Sequence, residues 1–242
     1  MKTPGIFCAI DAPDLDSALA LTRKLKGTGV DLKLGLEFFV AEGPRGIDAV
    51  RAAAGADIRI FLDLKLHDIP NTVAAAVKSA MRCRADFLTI HAGGGHEMMR
   101  AAMLAAREAQ EKTGQPAPVL LGVTVLTHMD AQDLQGIGMN DAPAQQVERL
   151  AKLAQAAGLG GCICAPQEIA ALRKACGPSF RLVVPGIRPA QSAAGDQKRV
   201  MTPQEAAALG ADDLVIGRPI TQAEDPARAA RDIVDSLRRA AA

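Results

Sequence analysis

Tryptophan and tyrosine are absent from the 242 residues, and phenylalanine occurs only six times. That removes the usual stacking platforms for single-stranded nucleic acid and removes tyrosine as an acid or base. Any nucleotide must be held by polar groups. Net charge is nearly absent as well. With 28 Lys and Arg against 27 Asp and Glu, no global field draws the chain to nucleic acid or to an anionic membrane. The five cysteines (Cys8, Cys83, Cys162, Cys164, Cys176) form no Cys-x-x-Cys pair, are odd in number and fit a reducing cytoplasm. At the amino end Ile6 to Ile10 runs straight into Asp11, so neither a signal peptide nor a membrane-spanning helix is expected. There is no Gly-x-x-x-x-Gly-Lys-Ser/Thr loop and no strand-linked Gly-x-Gly-x-x-Gly, hence no case for ATP or NAD.

What the chain has is a 49% hydrophobic content arranged in a regular alternation. Short apolar runs recur at Ile6 to Ile10, Leu32 to Leu34, Ile58 to Leu62, Phe87 to Ile90, Val119 to Leu126, Cys162 to Cys164, Leu182 to Val184 and Leu214 to Ile216. Between them lie Ala-rich stretches with helical spacing, such as Leu15-Leu19-Leu25, Val73-Val77-Met81 and Val147-Leu150-Leu153. Eight strand-plus-helix units of about thirty residues each predict an α/β fold, a single (β/α)8 TIM-type barrel over residues 1–242. A last helix from Asp225-Pro226 to Arg239 should pack beside the first. In such a barrel catalytic groups sit where strands end. Those positions carry Asp11, Lys33, Asp63, Lys65, His91, Thr127, Arg188 and Arg218.

The densest charge follows the third apolar run: Asp63-Leu64-Lys65-Leu66-His67-Asp68-Ile69-Pro70-Asn71-Thr72. Asp63 and Lys65 are two apart on a strand, so both face the barrel mouth while Leu62 and Leu64 face away. Asp68 stands where it can cap the following helix. For an isolated Asp-x-Lys pair a structural salt bridge is as good a reading as a catalytic one. His91-Ala92-Gly93-Gly94-Gly95-His96 has no standard metal-ligand spacing, so His91 is expected to be a supporting barrel residue. Cys162-x-Cys164 is expected to be core.

The ten-residue segment resembles the motif of the orotidine 5'-phosphate decarboxylases, and the resemblance extends along the chain. Ile10-Asp11 is similar to that family's first-strand Asp, Lys33-Leu34-Gly35-Leu36-Glu37 to its second-strand Lys and Val125-Leu126-Thr127 to its fifth-strand Thr. Pro185-Gly186-Ile187-Arg188, Asp196-Gln197 and Gly217-Arg218-Pro219 are similar to its phosphate end, in the same order. Leu66, Val184 and His128 depart from many members and coincide with no matched functional group.

The resemblance implies decarboxylation of orotidine 5'-phosphate to uridine 5'-phosphate in pyrimidine biosynthesis, with no metal and no organic cofactor. It implies an array of Lys33, Asp63, Lys65 and Asp68, with Lys65 the acid, and a homodimer in which Asp68 and Thr72 come from the neighbouring subunit. Asp11, Lys33 and Thr72 would hold the ribose and Thr127 the pyrimidine. Gln197 and Arg218 would hold the phosphate, with Gly217 lending backbone and Arg188 nearby. Neither nucleic acid nor membrane is an expected partner.

Two rivals stay open at this point. Magnesium-dependent barrels acting on phosphorylated keto sugars share the Asp-x-Lys-x-x-Asp spacing, but they are characterised by an acidic metal ligand on the second strand, where this chain has Lys33. A non-catalytic phosphate-binding barrel would also carry the phosphate loops.

Overall fold

The computed structural model describes residues 3–55, 57–189 and 201–241. Its strands are β1 (Gly5–Ile10), β2 (Asp31–Leu34), β3 (Ile60–Leu66), β4 (Phe87–His91), β5 (Val119–Val123), β6 (Gly161–Ile163), β7 (Arg181–Val184) and β8 (Asp213–Ile216). Each pairs in parallel with the next, and β8 closes on β1. The helices are α1 (Leu15–Leu25), α2 (Leu36–Ala54), α3 (Pro70–Ala80), α4 (Gly95–Thr113), α5 (Ala131–Gly136), α6 (Pro143–Ala156), α7 (Ile169–Cys176), α8 (Pro203–Ala208), α9 (Arg218–Thr221) and α10 (Pro226–Ala241). This is the TIM-type architecture expected from the alternation, and α10 packs on α1 as expected.

The helices form for local reasons. Asp14 caps α1 by accepting a hydrogen bond from the Ser17 amide at 2.8 Å, and Ala18, Thr22 and Leu25 then recur on one buried face. Within α2 the chain kinks at Gly43 (φ 59°), directly before Pro44, whose ring and missing N–H break a continuous helical ladder.

Strand alternation divides the interior in two. Outward-facing residues such as Ile6, Leu32, Leu62, Leu88 and Ile216 join the helices in a large outer core. Inward-facing Phe7, Phe61, Phe87, Leu121, Val183 and Val215 fill the barrel itself. Phe61 packs edge-on against both Phe7 and Phe87, at centroid separations of 5.6 and 5.9 Å. Three of the chain's few aromatics therefore make the floor beneath the barrel mouth, where truncation of each to Ala is expected to cost about 3–5 kcal/mol.

Below that floor the strand starts are tied by ions. Arg59 meets Asp31 at 2.6 Å, Arg181 meets Asp213 at 2.5 Å, and the two guanidiniums lie over Phe7 and Phe87 respectively. Burial pushes the Asp213 carboxyl above its ordinary value despite both arginines. That end of the barrel is thus closed by a layer of ion pairs over aromatic rings.

β3 extends to Leu66, so Asp63 and Lys65 stand on the strand as their spacing predicts, with partners inside the barrel. β5 stops at Val123 rather than Leu126. There the Thr124 hydroxyl turns to donate to the Ile163 carbonyl at 2.8 Å, and Val125 and Leu126 line a cavity instead of extending the sheet.

Candidate active site

A chain of alternating charge lies across the ends of β1, β2 and β3. Lys33 Nζ stands 3.6 Å from Asp11 Oδ1 and 3.6 Å from Asp63 Oδ2, and Lys65 Nζ donates to the same Asp63 Oδ2 at 2.7 Å. Asp63 is the buried centre: its side chain is 12% exposed, against 30% for Lys65 and 67% for Asp11. Burial alone pushes its carboxyl up. The Lys33 and Lys65 ammoniums, with hydrogen bonds from Lys65 and Thr89, outweigh that and hold it below the ordinary aspartate range. Asp63 is therefore an anion that two cations face, and Lys65 is the more exposed of the two cations.

Lys65 is placed by an irregular backbone. β3 and β4 pair at Leu62 with Leu88 and again at Leu66 with Ile90, so four steps along β3 match two along β4. Within this bulge Lys65 adopts φ 49°, a left-handed conformation uncommon for a residue with a side chain. Such bulges re-aim side chains, and the strain of about 1–3 kcal/mol persists only where surrounding contacts over-determine it. Two contacts do so here: the Lys65 amide donates to Thr89 Oγ1 at 2.9 Å, and Thr89 Oγ1 donates to Asp63 Oδ1 at 2.9 Å.

Thr89 was not among the residues marked by the sequence, because an inward Thr on an apolar strand reads as a β-branched core residue. The only available signal was its place two residues before His91, on the same face of β4. His91 itself stacks on His67, with ring centroids 5.1 Å apart, and burial first, then the proximity of His67 and Lys65, pushes its imidazole pKa down. The glycine turn after β4 closes on this pair. A Cβ on Gly94 would lie 3.2 Å from His67 Cδ2 and 2.2 Å from Met98 Sδ, so a side chain there would displace both. Among the described residues no three His, Cys, Asp or Glu side chains group as a metal-ligand set.

Two adjoining hollows share Lys33, Pro185 and Val215. One, of about 170 Å³, has Asp63 and Lys65 on one wall and Val125, Leu126, Thr127 and Cys164 on the other. The second, of about 190 Å³, is lined by Asp11, Lys33, Arg188, Gly217 and Arg218. Gly186 enters it at φ 79°, which lets the β7 loop turn back so that the Arg188 amide donates to Met201 O at 2.9 Å. Arg218 opens α9 directly after Gly217. A flat unsaturated ring fits the first hollow's apolar wall, and an anion fits the arginines of the second.

Thus Asp11, Lys33, Asp63, Lys65, Thr127, Arg188, Gly217 and Arg218 converge on one cleft. Asp68 and Thr72 do not: both are exposed and line neither hollow. Asp68 does not cap α3 either. Pro70 sets the first helical position, which makes Ile69 the N-cap, and the Asp68 carboxylate accepts from the Ile69 amide at 2.6 Å. Gln197 lies outside the described residues. Cys162 and Cys164 are both core residues, as expected, although Cys164 also borders the first hollow.

The sequence pattern of the Orotidine 5'-phosphate decarboxylase / HUMPS family matches residues 4–233. The chain is 52% identical to the orotidine 5'-phosphate decarboxylase of Paramagnetospirillum magneticum over 232 residues, covering 96% of this chain and 97% of that one. It is 49% identical to that of Moorella thermoacetica over 233 residues, covering 96% and 91%. Among solved structures, the orotidine 5'-phosphate decarboxylase of Lactobacillus acidophilus superposes with a TM-score of 0.82 at 34% identity, covering 99% of each chain.

Proposed function

The chain belongs to the orotidine 5'-phosphate decarboxylase / HUMPS family, and on that premise we propose that it decarboxylates orotidine 5'-phosphate to uridine 5'-phosphate in pyrimidine biosynthesis, without metal or organic cofactor and with Lys65 as the acid. The observation that carries the reading is the Lys33–Asp63–Lys65 chain at the wall of a ring-sized hollow next to a two-arginine hollow.

In the reaction the bond from the ring carbon to the carboxylate breaks, and its electron pair stays on an sp² carbon where the ring delocalises it poorly. The site must therefore stabilise localised negative charge. At an effective dielectric of about 20, an ammonium about 4 Å from that charge contributes roughly 4 kcal/mol, which is about a thousandfold in rate. Lys65 then gives a proton to the carbon, carbon dioxide departs, and the neutral amine regains its proton from solvent. Asp63, 2.7 Å away, keeps the Lys65 ammonium aimed until that moment. Its own charge also opposes the substrate carboxylate.

Asp11 and Lys33 hold the ribose hydroxyls in this reading, Thr127 the pyrimidine, and Arg188, Gln197, Gly217 and Arg218 the phosphate. Asp68 and Thr72 act across a homodimer interface. Their exposure outside the cleft supports that arrangement, as does the exposure of Ile69 between them (66%). The working unit would be one catalytic barrel domain, residues 1–242, per subunit. The five free cysteines fit a reducing cytoplasm, and among the described residues no helix is long and apolar enough to cross a membrane.

The magnesium-dependent keto-sugar reading is the weaker one. Asp11 and Asp63 already hold the Lys33 ammonium between them, which repels a divalent cation. The test is the fall in ultraviolet absorbance as orotidine 5'-phosphate is consumed, with and without exhaustive EDTA. Turnover unaffected by chelator is expected. Strict magnesium dependence would overturn the metal-free reading, and binding without turnover would leave a phosphate-binding barrel.

A further inference from the structure

Every residue of the charged chain was nameable from its charge, yet the bulge that aims Lys65 is held by an uncharged group. Thr89 is fully buried on the inward face of β4, between Leu88 and Ile90, the two residues where the β3–β4 register shifts. The bulge withdraws the Lys65 amide from the strand ladder, and the hydroxyl takes it up at 2.9 Å. The same oxygen lies 2.9 Å from Asp63 Oδ1.

Chemistry dictates the direction of both bonds. A backbone N–H can only donate and a carboxylate can only accept, so the Thr89 hydroxyl accepts from Lys65 and its single proton must go to Asp63. With Oδ1 occupied, Oδ2 is left for the ammoniums: Lys65 Nζ at 2.7 Å from its own strand and Lys33 Nζ at 3.6 Å from β2. His91, two residues on along β4, turns to His67 instead.

We propose that Thr89 is a positioning residue for the decarboxylation: one hydroxyl fixes both the left-handed backbone of Lys65 and the rotamer of Asp63, and so sets where the reacting ammonium stands. Valine has nearly the same shape but neither bond. It would leave a buried amide unpaired and Asp63 free to rotate, and a displacement of about 1 Å at a reacting group is enough for about a hundredfold loss. This role rests on the decarboxylase reading above.

The experiment compares wild type, Thr89→Val and Thr89→Ser, with kcat from the absorbance assay, affinity for uridine 5'-phosphate from titration calorimetry, and thermal melting as the check on folding. Thr89→Val is expected to lose about 10- to 100-fold in kcat while its product affinity stays within about threefold, because the product is held mainly by groups that Thr89 does not touch. Thr89→Ser, which keeps the hydroxyl, is expected to recover to within about fivefold of wild type. If Thr89→Val does not fold, Thr89→Ala takes its place with the same expectations. A hydroxyl-free variant with wild-type kcat overturns the proposal, as does one that loses kcat and product affinity in equal proportion, or a serine variant no better than valine. Wild type that binds product but turns over no substrate removes the decarboxylase reading and this role with it. Active wild type with an unimpaired valine variant removes this role alone.

Discussion

Replacing Lys65 tests the charge and the backbone together. Lys65→Ala leaves Asp63 Oδ2 with the more distant Lys33 Nζ at 3.6 Å and removes the only ammonium 2.7 Å away. The stabilisation worked out above, roughly 4 kcal/mol at an effective dielectric of about 20, predicts that kcat/KM falls by at least about a thousandfold. Alanine keeps the Cβ that makes φ 49° costly, whereas Lys65→Gly relieves it. Relief of about 1–2 kcal/mol, less the greater chain entropy of glycine, predicts that the glycine variant melts about 1–4 °C above the alanine variant and is equally inactive. The assays are absorbance-monitored turnover and thermal melting by circular dichroism. Lys65→Ala within tenfold of wild type would refute the assignment of the acid. A glycine variant melting below the alanine variant would refute the strained bulge that is said to aim it.

Other expectations follow from the same geometry. If Asp68 acts across subunits, mixing the inactive Lys65→Ala and Asp68→Ala proteins should restore about a quarter of wild-type activity once subunits exchange randomly, since half the dimers are mixed and each has one intact site; no recovery despite proven exchange counts against it. Arg218→Ala should lower kcat/KM for orotidine 5'-phosphate by about 100-fold or more but scarcely change turnover of orotidine, which lacks the phosphate; equal losses on both would move Arg218 out of the phosphate site. The depressed Asp63 carboxyl contributes stability that is present above its unfolded value, near pH 4, and is lost as pH falls through the lower folded value. Melting curves of wild type should therefore fall more steeply below about pH 4 than those of Asp63→Asn, and parallel curves would show that Asp63 is not held as an anion.

Much of this architecture can be read from residues alone, because buried parallel strands and their covering helices impose two different periods on the chain. The apolar runs at Ile6, Leu32, Phe87, Leu182 and Leu214 fall inside strands for that reason. The same logic places Asp11, Lys33 and Arg218 at the open end, since a charge that follows a buried strand must find solvent or a partner. The residues that misled are those whose conformation depends on a neighbour distant in sequence. Val125 and Leu126 are as apolar as a strand interior but face a cavity, and only the turn of Thr124 toward Ile163 separates the two cases. The kink of α2 left a local trace in Gly43-Pro44, yet apolar spacing did not single out that helix. Lys65 reads as an ordinary strand residue, and nothing local predicts its left-handed φ; Thr89, 24 positions later, supplies the hydrogen bond that permits it. Asp68 and Thr72 were marked by resemblance, and a single chain gives them no partner in the cleft.

The most direct measurement is a crystal structure with uridine 5'-phosphate bound. Lys65 Nζ is expected within about 3.5 Å of the ring carbon that carried the carboxylate, in hydrogen-bonding or near-attack range. The phosphate is expected between Arg188 and Arg218, with Asp63 Oδ2 still bonded to Lys65, if Lys65 is the acid and the two-arginine hollow the phosphate site. A product seated with that carbon away from Lys65, or with its phosphate elsewhere than the two-arginine hollow, would contradict these assignments.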